Sequence, residues 1–313
     1  MRTLIQKTYL LALLWTLAGF PSAAHAGTLH VNCDGTRGLT RIQNAINILQ
    51  RGGSDGANTI LVSGSCKENV TIQSMDNLTL TAQNGASITD PSNSSLDVID
   101  IFDSRRVSIN GFTINGGANG AVCADASLCR FSGNTVQGSP GYGVIVSSSQ
   151  ASLNGDTLRN NAGRGLSIIN GGEVADATAI TVQGSFDGIV LNTRGTLTLS
   201  NSTVQGNQNR GILATTSSTV RLLGSTVTAN GGDGVRLQQS SQARFDSFAG
   251  VNAITGNGGA GVSVGDLSFA SFDVNSNVTG NVGGTDVVCL PQFSATRGAL
   301  TNLAGGTTNC VEP

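Results

Sequence analysis

The sequence predicts an all-β protein, a single-stranded right-handed parallel β-helix with three short strands in each coil of about 23 residues. The first observation is a glycine, followed by a small or apolar residue, that returns at nearly constant spacing. It occurs at Gly120, Gly143, Gly165, Gly188, Gly211, Gly234 and Gly261. A fixed period of this length is typical of a solenoid.

The second observation is the alternation of apolar and polar residues inside each repeat. In the repeat that begins at Gly188, the apolar runs lie at 189–191, 197–199 and 204. A period of two residues indicates strands rather than helices. Strands this short cannot pair within their own repeat, so we expect each to pair in parallel with the same strand of the next repeat.

Stacked coils place equivalent residues in columns, which is the third prediction. A threonine before the last apolar position of each repeat should form an outward column, comprising Thr113, Thr135, Thr157, Thr181, Thr203 and Thr226. Asparagines near the following corner should form another, comprising Asn161, Asn207, Asn230 and Asn257. We expect their amides to satisfy carbonyl groups of the turn.

The first 26 residues have the features of a secretory signal peptide. Arg2 and Lys7 precede an apolar stretch, and Ala24-His25-Ala26 forms a small-x-small cleavage site. We therefore expect a secreted or periplasmic protein with no membrane span in the mature chain. The formal net charge is −2, so there is no basic excess to neutralise phosphates, which argues against nucleic-acid binding.

The remaining chain divides into three predicted parts. Residues 27–57 form an amino-terminal cap, in which Ile42, Ala45, Ile46 and Leu49 make the apolar stripe of an amphipathic helix. Residues 58–284 form the β-helix, and residues 285–313, which lose the repeat, form a carboxy-terminal cap. Caps cover the exposed strand edges at the ends of a solenoid, so we expect a monomer.

Six cysteines in an exported chain indicate disulfides. The sequence alone leaves several pairings open. We predict that nearest neighbours pair: Cys33 with Cys66, Cys123 with Cys129, and Cys289 with Cys310.

A family resemblance lies in the segment NTILVSGSCKENVTI, residues 58–72, and in the amphipathic segment at 42–46 before it. These residues resemble the amino-terminal coil of the pectin lyase-like superfamily, particularly pectin methylesterases. The repeats resemble the β-helix repeats of secreted bacterial proteins. The resemblance implies a right-handed β-helix over essentially the whole mature chain. It implies no single activity, because the superfamily includes lyases, hydrolases, esterases, epimerases and proteins without known activity.

Several activities of that superfamily lack their motifs here. Hydrolysis of the polygalacturonase type uses paired aspartates and a Gly-His-Gly, but the chain has no Asp-Asp, and His30, the only histidine after the signal segment, lies outside the repeats. The methylesterase phrases and the Asp-Pro-His of mannuronan epimerases are also absent. Elimination of the pectate lyase type stays open, because it needs only carboxylates that hold Ca²⁺ and an arginine base.

Four charged residues of alternating sign occupy the corner immediately before the first strand of successive coils: Arg164, Asp187, Arg210 and Asp233. This column could face a substrate. The alternative is that alternation only avoids repulsion between stacked like charges.

A second charged cluster lies earlier in the chain and comprises Asp97, Asp100, Asp103, Arg105 and Arg106. Its three aspartates could hold Ca²⁺, and its geometry could also suit an acidic sugar. A salt-bridged corner is the alternative interpretation.

Three functional hypotheses follow. The first is binding of a polysaccharide or cell-envelope component, with the substrate-binding residues Asp97, Asp100, Arg164, Asp187, Arg210 and Asp233. The second is a Ca²⁺-dependent lyase or epimerase acting on uronate polymers, with Arg105, Arg106 or Arg164 as the base. The third is a structural or adhesive rod.

Overall fold

The computed structural model describes residues 27–51, 56–273, 276–290, 299–301 and 306–310. The predicted signal peptide lies outside these residues, as does part of the predicted carboxy-terminal cap. The described chain contains one helix, α1 (Ile42–Arg51), and strands that form three parallel sheets of twelve, ten and ten strands. We name them sheet 1, sheet 2 and sheet 3.

The strands of each sheet follow one another at intervals of one coil. Sheet 1 comprises β1 (Thr28–Asn32), β2 (Asn58–Ser63), β5 (Leu78–Ala82), β8 (Val107–Asn110), β11 (Leu128–Ser132), β14 (Gln150–Asn154), β17 (Glu173–Thr178), β20 (Thr196–Ser200), β23 (Thr219–Leu223), β26 (Gln242–Asp246), β29 (Phe269–Phe272) and β32 (Ala299–Thr301). Sheet 2 comprises β4 (Val70–Gln73), β7 (Ile99–Phe102), β10 (Ala121–Ala124), β13 (Val144–Ser147), β16 (Arg164–Ile169), β19 (Asp187–Leu191), β22 (Ile212–Ala214), β25 (Val235–Leu237), β28 (Val262–Val264) and β31 (Val287–Cys289). Sheet 3 comprises β3 (Ser65–Lys67), β6 (Ser87–Thr89), β9 (Thr113–Asn115), β12 (Thr135–Gln137), β15 (Thr157–Arg159), β18 (Thr181–Gln183), β21 (Thr203–Gln205), β24 (Thr226–Thr228), β27 (Asn252–Thr255) and β30 (Ser276–Thr279).

Each coil passes through sheet 2, sheet 1 and sheet 3 in turn, and the predicted fold class is confirmed. Equivalent residues of neighbouring coils are paired in register, as Ile189 is with Ile212 and Leu197 with Val220. The apolar residues of the alternating runs are buried and form one continuous core along the axis. The predicted threonine column is also in register, on the outward side of sheet 3.

The predicted asparagine column is confirmed at the corner between sheet 3 and sheet 2, where its members are buried. The Asn207 N–H donates to Asn230 Oδ1 at 3.1 Å, and the Asn230 N–H donates to Asn257 Oδ1 at 3.2 Å. The Asn230 side-chain nitrogen donates to the Val204 carbonyl at 3.2 Å. Asn161 makes contacts of the same kind. This ladder satisfies backbone groups that the corner would otherwise leave buried and unpaired.

The other two corners hold buried ladders that the sequence analysis did not predict. Between sheet 2 and sheet 1, the Ser218 N–H donates to Ser241 Oγ and the Ser241 N–H donates to Ser268 Oγ, both at 3.1 Å. Between sheet 1 and sheet 3, the Asn134 N–H donates to Asp156 Oδ1 at 2.8 Å. Serine is frequent throughout this chain, and the ladder between sheet 1 and sheet 3 changes residue type from Asn134 to Asp156, so neither ladder gives a distinct signal in the sequence.

The helix α1 covers the amino-terminal edge of sheet 2 through side-chain amides. The Gln43 side chain accepts the Thr71 N–H at 2.8 Å and donates to the Thr71 carbonyl at 3.1 Å, as a further strand would. The buried Glu68 carboxylate accepts the first backbone N–H groups of the helix, at 2.7 Å from Ile42 and 3.1 Å from Gln43. An anion suits this end because it carries unsatisfied donors and the positive end of the helix dipole. No helix among the described residues is long and apolar enough to cross a membrane.

The three predicted disulfides are present. They join Cys33 to Cys66, Cys123 to Cys129, and Cys289 to Cys310. At the amino-terminal end, β1 pairs with β2, so part of the predicted cap belongs to sheet 1. At the other end, β31 and β32 continue sheets 2 and 1 beyond residue 284.

Candidate functional site

The candidate site is the corner that leads into sheet 2, where each coil contributes one residue to what we call the corner column. Its members are Asp97, Asn119, Tyr142, Arg164, Asp187, Arg210 and Asp233. Backbone hydrogen bonds join the coils at this level: the Gly143 N–H donates to the Arg164 carbonyl and the Gly188 N–H to the Arg210 carbonyl. Arg164 and Asp187 are paired in register. The predicted stacking of these charges is therefore present in the structure.

The carboxylates of the corner column bond to the backbone of the following coil. Asp187 Oδ1 accepts the Arg210 N–H at 3.2 Å and the Asn209 side-chain N–H at 2.9 Å. Asp233 Oδ1 accepts the Ala260 N–H at 3.0 Å. Asp97 Oδ1 accepts the backbone and side-chain N–H groups of Asn119 at 3.0 and 2.8 Å. These aspartates therefore stabilise the corner by bonding to backbone N–H groups of the next coil, in addition to any contact with a ligand.

The arginines of the corner column differ in their surroundings. Arg210 lies 3.8 Å from Asp187, and Arg236 on the neighbouring strand lies 3.5 Å from Asp233. Within the described part of the chain, no carboxylate oxygen lies within 4.0 Å of the Arg164 guanidinium. Of the two arginines in the column, Arg210 therefore has a carboxylate partner and Arg164 has none among the described residues.

Arg164 is held in place by uncharged groups. Its guanidinium carbon lies 4.9 Å from the centre of the Tyr142 ring, in the preceding coil. Its Nη1 donates to Ser167 Oγ at 3.0 Å, and Ser167 is buried on the outward side of sheet 2. A guanidinium above an aromatic face is attracted by the ring electrons. The sequence placed Tyr142 and Arg164 in one column, but the Ser167 contact depends on a side-chain direction that the repeat does not reveal.

The predicted acidic cluster does not converge. Asp97 is engaged by Asn119, and Asp103 accepts the Ser74 hydroxyl at 3.0 Å. Asp100 lies half-buried on the outward side of sheet 2, in register with Val122. Burial raises the pKa of the Asp100 carboxyl, and the negative charges of Asp97 and Asp125 raise it further.

These three aspartates do not make a ready site for Ca²⁺. Among the described residues, the only group of three acidic, histidine or cysteine side chains whose ligand atoms lie within 4.8 Å of one another is Cys33, Cys66 and Glu68. Its two cysteines form a disulfide and its glutamate caps helix α1. The structure offers no ligand geometry in support of the predicted Ca²⁺ site, which stays a prediction.

The two arginines of the acidic cluster point to different surroundings. Arg106 is paired with Asp76 at 2.5 Å. Arg105 is exposed and lines an open pocket of about 420 Å³ together with Gln150 and Glu173. Of the three predicted bases, only Arg164 lies on the outward face of sheet 2.

The fold and the site together define a right-handed parallel β-helix protein with a column of charged residues, the corner column, beside sheet 2. Residues 181–290 match the family model described as the right handed beta helix region. The fold is similar to that of pectate lyase Pel9A, with 12% identity, a TM-score of 0.54, and coverage of 81% of this chain and 80% of that chain.

Two epimerases have the same fold. The A-module of Azotobacter vinelandii mannuronan C-5 epimerase AlgE6 is 12% identical, with a TM-score of 0.54 and coverage of 87% of this chain and 91% of that chain. The periplasmic alginate epimerase AlgG is 14% identical, with a TM-score of 0.52 and coverage of 71% and 69%. No curated protein sequence matches the chain. Likeness at this identity shows the fold alone, which is the right-handed β-helix that the family resemblance implied.

Proposed function

We propose that this chain is an exported β-helix protein that binds an acidic polysaccharide along the corner column and the outward face of sheet 2. The observation that carries the proposal is Arg164. It is fixed by Tyr142 and Ser167 but has no carboxylate partner among the described residues. A preorganised guanidinium binds a carboxylate through charge-assisted hydrogen bonds and loses little conformational freedom in doing so.

The repeat of the fold supports an extended ligand. Coils are about 4.8 Å apart, so the column offers successive sugar residues equivalent positions. Arg210 lies two coils beyond Arg164, where it would meet the same chain as a cation shared with Asp187. The names of the structural neighbours include pectate and alginate, which are both acidic polysaccharides. The three disulfides and the signal-like leader favour export.

Replacing Arg164 with glutamine tests the proposal. We expect the dissociation constant for polygalacturonate or alginate to rise about tenfold or more, because a hydrogen bond to a charged group contributes roughly 1.5–3 kcal/mol. The measurement is affinity electrophoresis in gels that contain each polymer, at two ionic strengths, since salt weakens such contacts.

The matched control is Arg130→Gln, which removes an exposed arginine from sheet 1. Both variants lose one positive charge. A difference between their dissociation constants therefore distinguishes binding at a local site from non-specific attraction between the protein and the polyanion. If Arg164→Gln and wild-type protein bind both polymers equally, the proposal is wrong.

The alternative is an eliminating enzyme on the same face, and the raised pKa of the half-buried Asp100 carboxyl favours it, because carboxyls with shifted pKa values are concentrated at sites of acid–base catalysis. This alternative predicts growing ultraviolet absorbance from unsaturated uronate products and its loss in Asp100→Asn. Parallel reactions with a chelator test the predicted Ca²⁺ dependence. Absence of product across a broad panel of uronate polymers would exclude elimination.

A further inference from the structure

We propose that the outward face of sheet 3 is a second carbohydrate site, which takes an extended and predominantly uncharged polysaccharide. We call it the amide groove, and its central column comprises Thr89, Asn115, Gln137, Arg159, Gln183 and Gln205. This site is on a different sheet from Arg164 and does not depend on the function proposed above.

The amide groove is a continuous depression along several coils. One pocket of about 470 Å³ extends from Thr89 and Asp90 to Asn160. A second pocket of about 310 Å³ begins at the same Asn160 and extends to Ala229. Since the pockets share Asn160 and their residues belong to consecutive coils, the depression follows the axis of the β-helix. A long, narrow, open groove suits a polymer chain better than a compact small molecule.

Side chains of neighbouring coils hold one another in place along this groove. The Gln137 Nε2 donates to Asn115 Oδ1 at 2.7 Å, and the Arg159 Nε donates to Gln137 Oε1 at 2.7 Å. Further along, the Gln205 Nε2 donates to Gln183 Oε1 at 3.0 Å. A primary amide has two N–H donors and an oxygen with two lone pairs, so these contacts leave hydrogen-bonding capacity for a ligand. The amides are thus ordered before a ligand arrives, which lowers the entropic cost of binding.

The floor of the groove is kept low by the turn that follows the six strands β9, β12, β15, β18, β21 and β24 of sheet 3. This turn position has positive φ throughout and is occupied by Gly116, Gly138, Asn160, Gly184, Gly206 and Ala229. A Cβ atom added at Gly206 would meet nothing within 4 Å, and one added at Gly138 would meet only the Gly116 nitrogen at 4.0 Å. Space for a ligand therefore exists directly above these two glycines.

The polar groups of the groove select hydroxyl groups rather than carboxylates. A sugar hydroxyl both donates and accepts, and an amide offers both partners. Arg159 is the only charged member of the central column. Asp90, at one end, is already bonded to Ser92 and Asn69. The groove lining includes no aromatic ring, so there is no stacking platform, and affinity must accumulate over many coils. We therefore expect binding to strengthen with the length of the glycan.

The test fills the groove floor without disturbing the fold. Gly138→Asn and Gly206→Asn, combined in one variant, introduce a residue that the same turn already holds at Asn160 with φ of 54°. Gly280→Asn is the matched control. It changes the same turn position outside the two pockets, where an added Cβ also meets nothing within 4 Å. Circular dichroism and thermal unfolding confirm that each variant is folded.

The probes are three soluble uncharged polymers: a galactomannan, a xyloglucan and a dextran. We expect affinity electrophoresis to show retardation of the wild-type protein by at least one of them, more by long chains than by short ones. For that polymer the dissociation constant should rise roughly tenfold in the double variant and stay unchanged in Gly280→Asn and Arg164→Gln. The proposal is overturned if no polymer retards the wild-type protein, or if the double variant and Gly280→Asn behave alike. Arg164→Gln changes only the site proposed for acidic polysaccharides, so the experiment tests the amide groove and that site independently.

Discussion

Replacing Asn230 with alanine is expected to lower the free energy of unfolding by about 4 kcal/mol, since each buried polar group left without a partner costs roughly 1–3 kcal/mol. Asn230 Oδ1 accepts both the backbone and side-chain N–H groups of Asn207, at 3.1 and 2.9 Å. Its Nδ2 donates to the Val204 carbonyl at 3.2 Å and to Asn257 Oδ1 at 2.9 Å. Alanine removes all four bonds from a residue that is 1% exposed. Urea unfolding followed by far-ultraviolet circular dichroism measures the loss.

The control for this substitution is Asn154→Ala, at the exposed end of β14. We expect the control to change stability by less than about 0.5 kcal/mol, as for most surface substitutions. A loss below about 1 kcal/mol in Asn230→Ala would mean that the ladder contributes little and that strand pairing alone holds the corner.

The repeat makes much of this fold predictable. Once Gly188, Gly211 and Gly234 define the period, the register of the three sheets follows, because residues at the same distance from the glycine must stack. The asparagine column could be predicted for the same reason and from its chemistry, since an amide can both donate to and accept from a turn. The disulfides between nearest-neighbour cysteines are also confirmed, although the sequence alone left other pairings open.

The direction of a side chain and the shape of a loop do not follow from a period. The corner aspartates were expected to meet either a substrate or a neighbouring arginine. Asp187 and Asp233 do lie near Arg210 and Arg236. They also accept the backbone N–H of the next coil, a contact that requires the carboxylate to turn along the axis. The amide groove could not be predicted either, because it depends on the loop after β6, where Asp90, Asn93 and Ser94 line one end. In the sequence, the glutamines of this column cannot be distinguished from glutamines on any solvent-exposed surface.

The stability of the protein should fall as the pH rises from about 4 to about 6, by roughly 3 kcal/mol, because of Asp156. Burial raises the pKa of this carboxyl from 3.8 to about 6, although hydrogen bonds from Asn134 and Asn154 act in the opposite direction. The folded state therefore holds the proton more tightly than the unfolded state. The stability gained from protonation is complete below pH 3.8 and is lost as the pH rises through about 6.

Below pH 4 the direction is expected to reverse, because Asp90 titrates in the opposite sense. Burial alone would raise the pKa of Asp90, but hydrogen bonds from Ser92, Asn69 and Ser94 outweigh it and lower the pKa to about 2. The stability that Asp90 contributes is present above pH 3.8 and is lost as the pH falls towards 2.

Chemical unfolding at intervals from pH 2 to 7 tests both carboxyls together. Asp156→Asn keeps an oxygen that can accept from Asn134 but does not titrate. It should therefore remove the part of the decline between pH 4 and 6 that Asp156 causes, keep the part that the raised pKa of Asp100 causes, and leave the acid limb unchanged. Asp176→Asn, an exposed aspartate on β17, should leave the whole profile as in the wild-type protein. If Asp156→Asn retains the whole decline, other groups cause it, and the buried carboxylate is accommodated by its three N–H donors at no cost to the fold. If the decline becomes smaller, Asp156 in the ladder between sheet 1 and sheet 3 destabilises the folded protein at neutral pH. At a pH well below 6 the Asp156 carboxyl is protonated, and this destabilisation is largely absent.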